Sequence, residues 1–186
     1  NALRFLFERE DIPPDVPKYI MMYCLDAYNS KGESGKNGTS KMAMQFLSGW
    51  LNQFSKLKKL SVASEYLSGD LASVTPHSSV VGALQQGGVA VVRVMYGCWH
   101  YVLLTGAEGG KVTMFDPYLR TIPFRKKGVE MLNDPTGREN RRVEMDHLNA
   151  EGKSIYALGE IKNREAVILF NTKSRKTPER TIEYFL

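Results

Sequence analysis

The feature that most constrains this chain is a six-residue run, Val89-Ala90-Val91-Val92-Arg93-Val94, entered through Gly87-Gly88. It is β-branched and almost wholly apolar. A strand that is solvated on one side alternates apolar with polar residues, so a continuous run predicts a strand covered on both faces. Any fold for the chain must therefore supply packing layers on both sides of a sheet. Two further strands are expected after it, over residues 99–105 and 112–115, joined as a hairpin by Ala107-Glu108-Gly109-Gly110. A last strand is expected over residues 166–170, and an earlier one over residues 60–67.

Helical periodicity lies mainly upstream. Residues 13–28 read as a helix with prolines in its first turn and Ile20, Cys24, Ala27 and Tyr28 on one face. Residues 29–38 hold three glycines and read as a loop. Residues 40–56 carry a broad apolar stripe of Met42, Ala43, Phe46, Leu47, Trp50, Leu51 and Phe54, with Thr39 or Ser40 as its N-cap. A short helix over residues 78–86 ends at Gly87-Gly88. Helices first and strands later predict an α+β class with N-terminal helices packed on an antiparallel β-sheet.

The chain has 186 residues, 42% of them hydrophobic and 24% charged, which is ordinary usage for one globular domain, read here as residues 1–186. No apolar run reaches the roughly 20 residues of a membrane span. The net charge of +5 comes mostly from beyond Tyr118, with clusters at Arg125-Lys126-Lys127 and Arg141-Arg142. These clusters are neither dense nor interleaved with aromatics. They predict a solvated basic surface rather than a nucleic-acid face. Two cysteines, Cys24 and Cys98, make no disulfide framework, although a single bridge is arithmetically open. With three histidines in no ligand spacing they make no zinc site, and no cofactor motif occurs. Free thiols suit a reducing compartment, so a cytoplasmic location is expected. The first residue is Asn1 rather than Met, so a leader is neither implied nor ruled out by it.

The chemistry-bearing pair is His100 and Asp116. A three-residue hairpin loop would set them directly opposite each other on one face, with Cβ atoms about 5 Å apart, near enough for a carboxylate to orient an imidazole. The plainer alternative is a strand-capping histidine and an Asp-Pro turn. Trp99 and Tyr101 alternate with His100 and are expected on the other face as core packing, whereas Cys98 shares the face of His100.

The stretches Val81-Gly82-Ala83-Leu84-Gln85-Gln86-Gly87-Gly88-Val89-Ala90-Val91, His100-Tyr101-Val102-Leu103-Leu104-Thr105-Gly106 and Val112-Thr113-Met114-Phe115-Asp116-Pro117 resemble the second half of a papain-like cysteine peptidase. The nearest likeness is to cysteine peptidase family thirty-nine, the bacterial double-glycine leader peptidases. It covers about residues 35–117. The resemblance implies a papain-like cysteine peptidase fold, His100 as general base and Asp116 as its orienting acid. The family opens a helix with Cys-Gly-Pro and continues it with Ala-Met. Anchoring on Ala43-Met44 puts Asn37-Gly38-Thr39 over Cys-Gly-Pro, so Asn37 stands at the nucleophile position, and an amide is no nucleophile. The family's oxyanion glutamine has no counterpart, since no Gln precedes Asn37.

Substitute nucleophiles are Ser40 and Thr39, for which capping is the commoner role; Cys98, by default a packed thiol; and Cys24, on the apolar helix stripe. His77 and His147 have no recognisable partner and read as surface residues. The implied function is a catalytically impaired, peptidase-like protein whose cleft binds a peptide or small partner. The alternative is an active cysteine-type hydrolase with an unorthodox nucleophile. That cleft is expected between the start of the 40–56 helix and the His100–Asp116 hairpin. A nucleic-acid partner and a membrane span are not expected.

Overall fold

The computed structural model describes residues 1–57, 60–125 and 127–176. Seven antiparallel strands form one sheet: β1 (Val62–Ser68), β2 (Val89–Tyr96), β3 (Cys98–Glu108), β4 (Lys111–Phe115), β5 (Val129–Met131), β6 (Arg141–Glu144) and β7 (Glu165–Asn171). Their order is β1-β7-β2-β3-β4-β6-β5. The helices are α1 (Ala2–Leu6), α2 (Asp15–Tyr23), α3 (Lys41–Lys56), α4 (Ser79–Gln85) and α5 (Met145–Leu148). The molecule is α+β as expected.

The covered strand lies inside the sheet, between β7 and β3. Its two faces feed two apolar clusters. Val89 packs with Leu51, Phe54, Val167 and Leu169 beneath α1, α2 and α3. Ala90, Val92 and Val94 pack with Val80, Val81, Ile168 and Phe170 beneath α4. Gly88 is where α4 enters β2, and a Cβ there would sit 2.7 Å from the Phe170 ring. The glycine is required by this close approach.

Two helix starts are capped by serine, the first as the sequence predicts. The Ser40 hydroxyl accepts the Ala43 N–H, and the Ser78 hydroxyl accepts that of Val81. Such caps contribute about 1 kcal/mol each. The first predicted helix is shorter than its apolar pattern, since α2 ends at Tyr23. Cys24 turns extended, and Leu25 takes a left-handed φ of 58°. Thr39 then accepts the Leu25 N–H, and Ala27 pairs with Gly38 and Asn37 through the backbone. Residues 25–39 thus close into a loop tied by bonds across its own base, and Ala27 and Tyr28 leave the helix.

The hairpin also differs. Its loop has two residues, Gly109 and Gly110, with φ of 56° and 74°. Left-handed values at both positions are those of a type I′ turn, which matches the twist of the flanking strands. Glu108 pairs with Lys111, and a bulge between Leu104 and Gly106 then shifts the register, so that Leu103 pairs with Phe115. His100 is therefore not directly opposite Asp116, because continuing that register sets Asp116 against Val102. Strands β5 and β6 and helix α5, of three to four residues each, were not expected from the sequence.

Candidate functional site

His100 lies on β3 opposite Val94 of β2, and so projects from the α4 face of the sheet. Asp116 follows β4. An offset of two residues from direct opposition leaves the two side chains diagonal neighbours on one face, still in reach for a histidine. His100 Nε2 lies 2.7 Å from Asp116 Oδ1. The carboxylate can only accept, so Nε2 carries the proton. The pairing expected from the hairpin is formed, although by a different register.

Asp116 is 1% exposed, yet its acceptors are filled. Oδ1 also takes the Tyr118 N–H at 2.8 Å, and Oδ2 takes the Tyr156 hydroxyl at 2.6 Å. Burial pushes the Asp116 pKa up, but the bonds from His100, Tyr156 and the Tyr118 N–H outweigh it and hold the group below the usual carboxylate range. Burial and the neighbouring Asp116 carboxylate push the Tyr156 phenol well above its usual range, so it serves only as a neutral donor. Arg141 Nε in turn donates to the Tyr156 oxygen at 3.2 Å. The Asn140 amide fixes the Asp116 backbone on both sides, accepting its N–H at 2.8 Å and donating to its carbonyl at 2.7 Å.

None of Tyr156, Arg141 and Asn140 was picked from the sequence. They join Asp116 from 24 to 40 residues away. Arg141 also overturns an expectation, because half of the Arg141-Arg142 pair read as solvated surface is 3% exposed and bonded inward. Lys126 of the other basic cluster lies outside the described residues.

One ring nitrogen of His100 remains. Among the described residues no hydrogen bond reaches Nδ1. The ring is half-buried beside Tyr96, with centroids 5.7 Å apart, and Tyr96 packs on Tyr118 at 5.3 Å. Cys98 shares this strand face, as its spacing predicts, but it is exposed rather than packed.

The nucleophile position is not brought here. Asn37 is exposed in the 25–39 loop, where its amide donates to the Tyr28 carbonyl at 2.7 Å. Ser40 is committed as a cap, and its hydroxyl donates to Asp26 at 2.6 Å. Thr39 accepts the Leu25 N–H. Cys24 is half-buried rather than in the core, and burial raises its thiol pKa. Helix α3 packs on β1 and β7 from the face opposite His100. Among the described residues no hydrogen bond or ion pair joins Asn37, Thr39 or Ser40 to His100. The expected cleft between the start of α3 and the dyad is not formed, because the two lie on opposite faces of one sheet.

That opposite face holds a second polar cluster. Glu165, 1% exposed, accepts the Tyr101 hydroxyl on Oε1 at 2.6 Å and the Tyr66 hydroxyl on Oε2 at 2.8 Å, and pairs with Arg93 at 3.1 Å. Trp99 lies over the Arg93 guanidinium at 4.2 Å and is 40% exposed. Trp99 and Tyr101 do face away from His100, but Trp99 covers an ion pair instead of filling the core. His77 is exposed, while His147 corrects its surface reading: Nε2 bonds to the Ile155 carbonyl at 2.7 Å.

Among the described residues no group of three or more His, Cys, Asp or Glu side chains is arranged to hold a metal, and no helix is long and apolar enough to cross a membrane. No protein-family model, curated protein or solved structure matches the chain.

Proposed function

We propose that this chain is a peptidase-like protein of the double-glycine leader peptidase type that has lost catalysis and uses the surface around His100 to bind a peptide or small partner. One observation carries the reading: His100 and Asp116 form a supported base–acid pair, and among the described residues no nucleophile is bonded to Nδ1 of the ring. Covalent catalysis needs a nucleophile within hydrogen-bond reach of its base. The surroundings favour binding. Tyr118, whose ring packs on the Tyr96 ring beside His100, is 57% exposed, and Leu119 and Ile122 follow it in sequence at 86% and 69%.

A second reading keeps catalysis, and the position of Cys98 favours it. The thiol is exposed, two residues from His100 and on its strand face. Iodoacetamide labelling joined to a peptide-library digest separates the two. In the binding reading, Cys98 is alkylated at the same rate in the wild type and in His100→Ala, and no peptide is cleaved. A Cys98 rate that falls in His100→Ala, together with cleavage abolished by Cys98→Ser, would refute the proposal in favour of the enzyme.

A further inference from the structure

The outer side of α3 is built differently from the rest of the surface. Its only charges are Lys41 and Lys56, at the two ends. Between them Met42, Gln45, Phe46, Gly49, Trp50 and Gln53 line an open hollow of about 540 Å³. Rings from α2 flank it. Tyr19 packs on Trp50 at 5.3 Å, and Tyr23 on Phe46 at 4.3 Å, so the apolar side chains are held against each other. Uncharged, aromatic and methionine-rich composition is that of the centre of a protein–protein interface.

The area fits one class of occupant. Tyr19, Met22, Tyr23, Met42 and Phe46 are 36%, 62%, 38%, 80% and 46% exposed. At roughly 200 Å² for a bare side chain of this size, they present on the order of 500 Å² of apolar surface. A standard interface buries about 800 Å² per partner, and homodimer interfaces are about 65% apolar, which again is about 500 Å².

Gly49 gives the symmetry. It stands at the middle of α3, where glycine weakens a helix, and a Cβ there would meet nothing within 4 Å. The fold itself therefore does not require glycine at this position. A backbone approaching from outside would. We propose that α3 is the face of a homodimer, with a second copy of this chain packed antiparallel on it about a two-fold axis at Gly49. Such an axis sets the Gln45 amide against Gln53 of the second copy, opposes the two helix dipoles, and leaves the end lysines at the rim.

Sedimentation equilibrium at micromolar concentrations tests this, with helical content followed by circular dichroism. The wild type is expected to be a dimer. Phe46→Asp, at an exposed position, should weaken dimerisation by about a hundredfold without loss of helicity, because each dimer loses the ring twice and gains two buried charges. Met42→Glu serves the same purpose should Phe46→Asp fail to fold. Gly49→Leu, at a position where the fold itself has room for a side chain, should weaken dimerisation while helicity is kept. A wild type that stays monomeric, a dimer that survives both face variants, or a Gly49→Leu chain that dimerises as tightly as the wild type would each overturn the proposal.

Discussion

The Tyr156 hydroxyl reaches Asp116 Oδ2 at 2.6 Å, on the side of the carboxylate turned away from His100. Tyr156 is fully buried and sits at a left-handed φ of 65°, a conformation that side chains other than glycine rarely adopt. The chain accepts this local cost where the tyrosine completes the coordination of a buried charge. Removing that donor alone isolates its contribution. Tyr156→Phe keeps the ring and the packing but leaves Oδ2 without its partner. A hydrogen bond to a charged group is worth about 1.5–3 kcal/mol. The thermal midpoint should drop by roughly 3–12 °C, at about 2–4 °C per kcal/mol for a domain of this size. An unchanged midpoint by calorimetry would show that Asp116 does not depend on Tyr156.

Acid should act through the same carboxylate. The pKa of Asp116 in the fold lies below its unfolded value of about 3.9. Its contribution to stability is therefore fully present above about pH 4–5 and is lost as the pH falls through the lower folded value. Urea midpoints taken from neutral pH down to about pH 3 should decline for the wild type. In Asp116→Asn the starting midpoint should be lower and the decline shallower. Parallel declines in the two proteins would show that other carboxylates carry the acid sensitivity.

Trp99 gives a smaller prediction than its size implies. Truncating a buried aromatic costs about 3–5 kcal/mol. Trp99 is 40% exposed, and its main partner is the Arg93 guanidinium 4.2 Å away, a contact worth about 0.5–1 kcal/mol at an accessible site. Trp99→Ala should therefore destabilise by about 1–2 kcal/mol in chemical denaturation, once some lost packing is added. A loss above that range would mean that the indole shields the Arg93–Glu165 pair from water.

Glu165 should be the more sensitive residue of that cluster. Removing one member of a buried ion pair leaves the other charge uncompensated, at about 3–5 kcal/mol. Glu165→Ala also strips Tyr66 and Tyr101 of their acceptor. Replacing the carboxylate with the amide in Glu165→Gln keeps an acceptor for one hydroxyl and lets the amide nitrogen donate to the other, and should cost less. Equal denaturation midpoints for the two variants would assign the cluster's value to charge alone.

What the sequence determined by itself is what short-range physics controls. The 40–56 helix, its Ser40 cap, the short helix running into Gly87-Gly88 and the strands of five or more residues all follow from periodicity, hydroxyl caps and β-branched runs. So does the division of β3 into a face with Cys98 and His100 and a face with Trp99 and Tyr101, because alternation is a property of the extended backbone. The contact between His100 and Asp116 was legible as well, since both ends belong to one hairpin. Its register was not. The Gly109-Gly110 turn and the bulge after Leu104 each shift the pairing, and side chains as long as histidine reach a diagonal neighbour anyway.

Only the tertiary structure decided the rest. Tyr156, Arg141 and Asn140 come from segments too short for any period to register, and β5 and β6 gain their order by pairing in line with β4. The separation of Asn37 from His100 is likewise a decision of the sheet. Local sequence places a loop before one helix and a histidine on one strand. Which face of the sheet that helix covers depends on the apolar sides of β1, β7 and β2 together, and it covers the one from which His100 does not project.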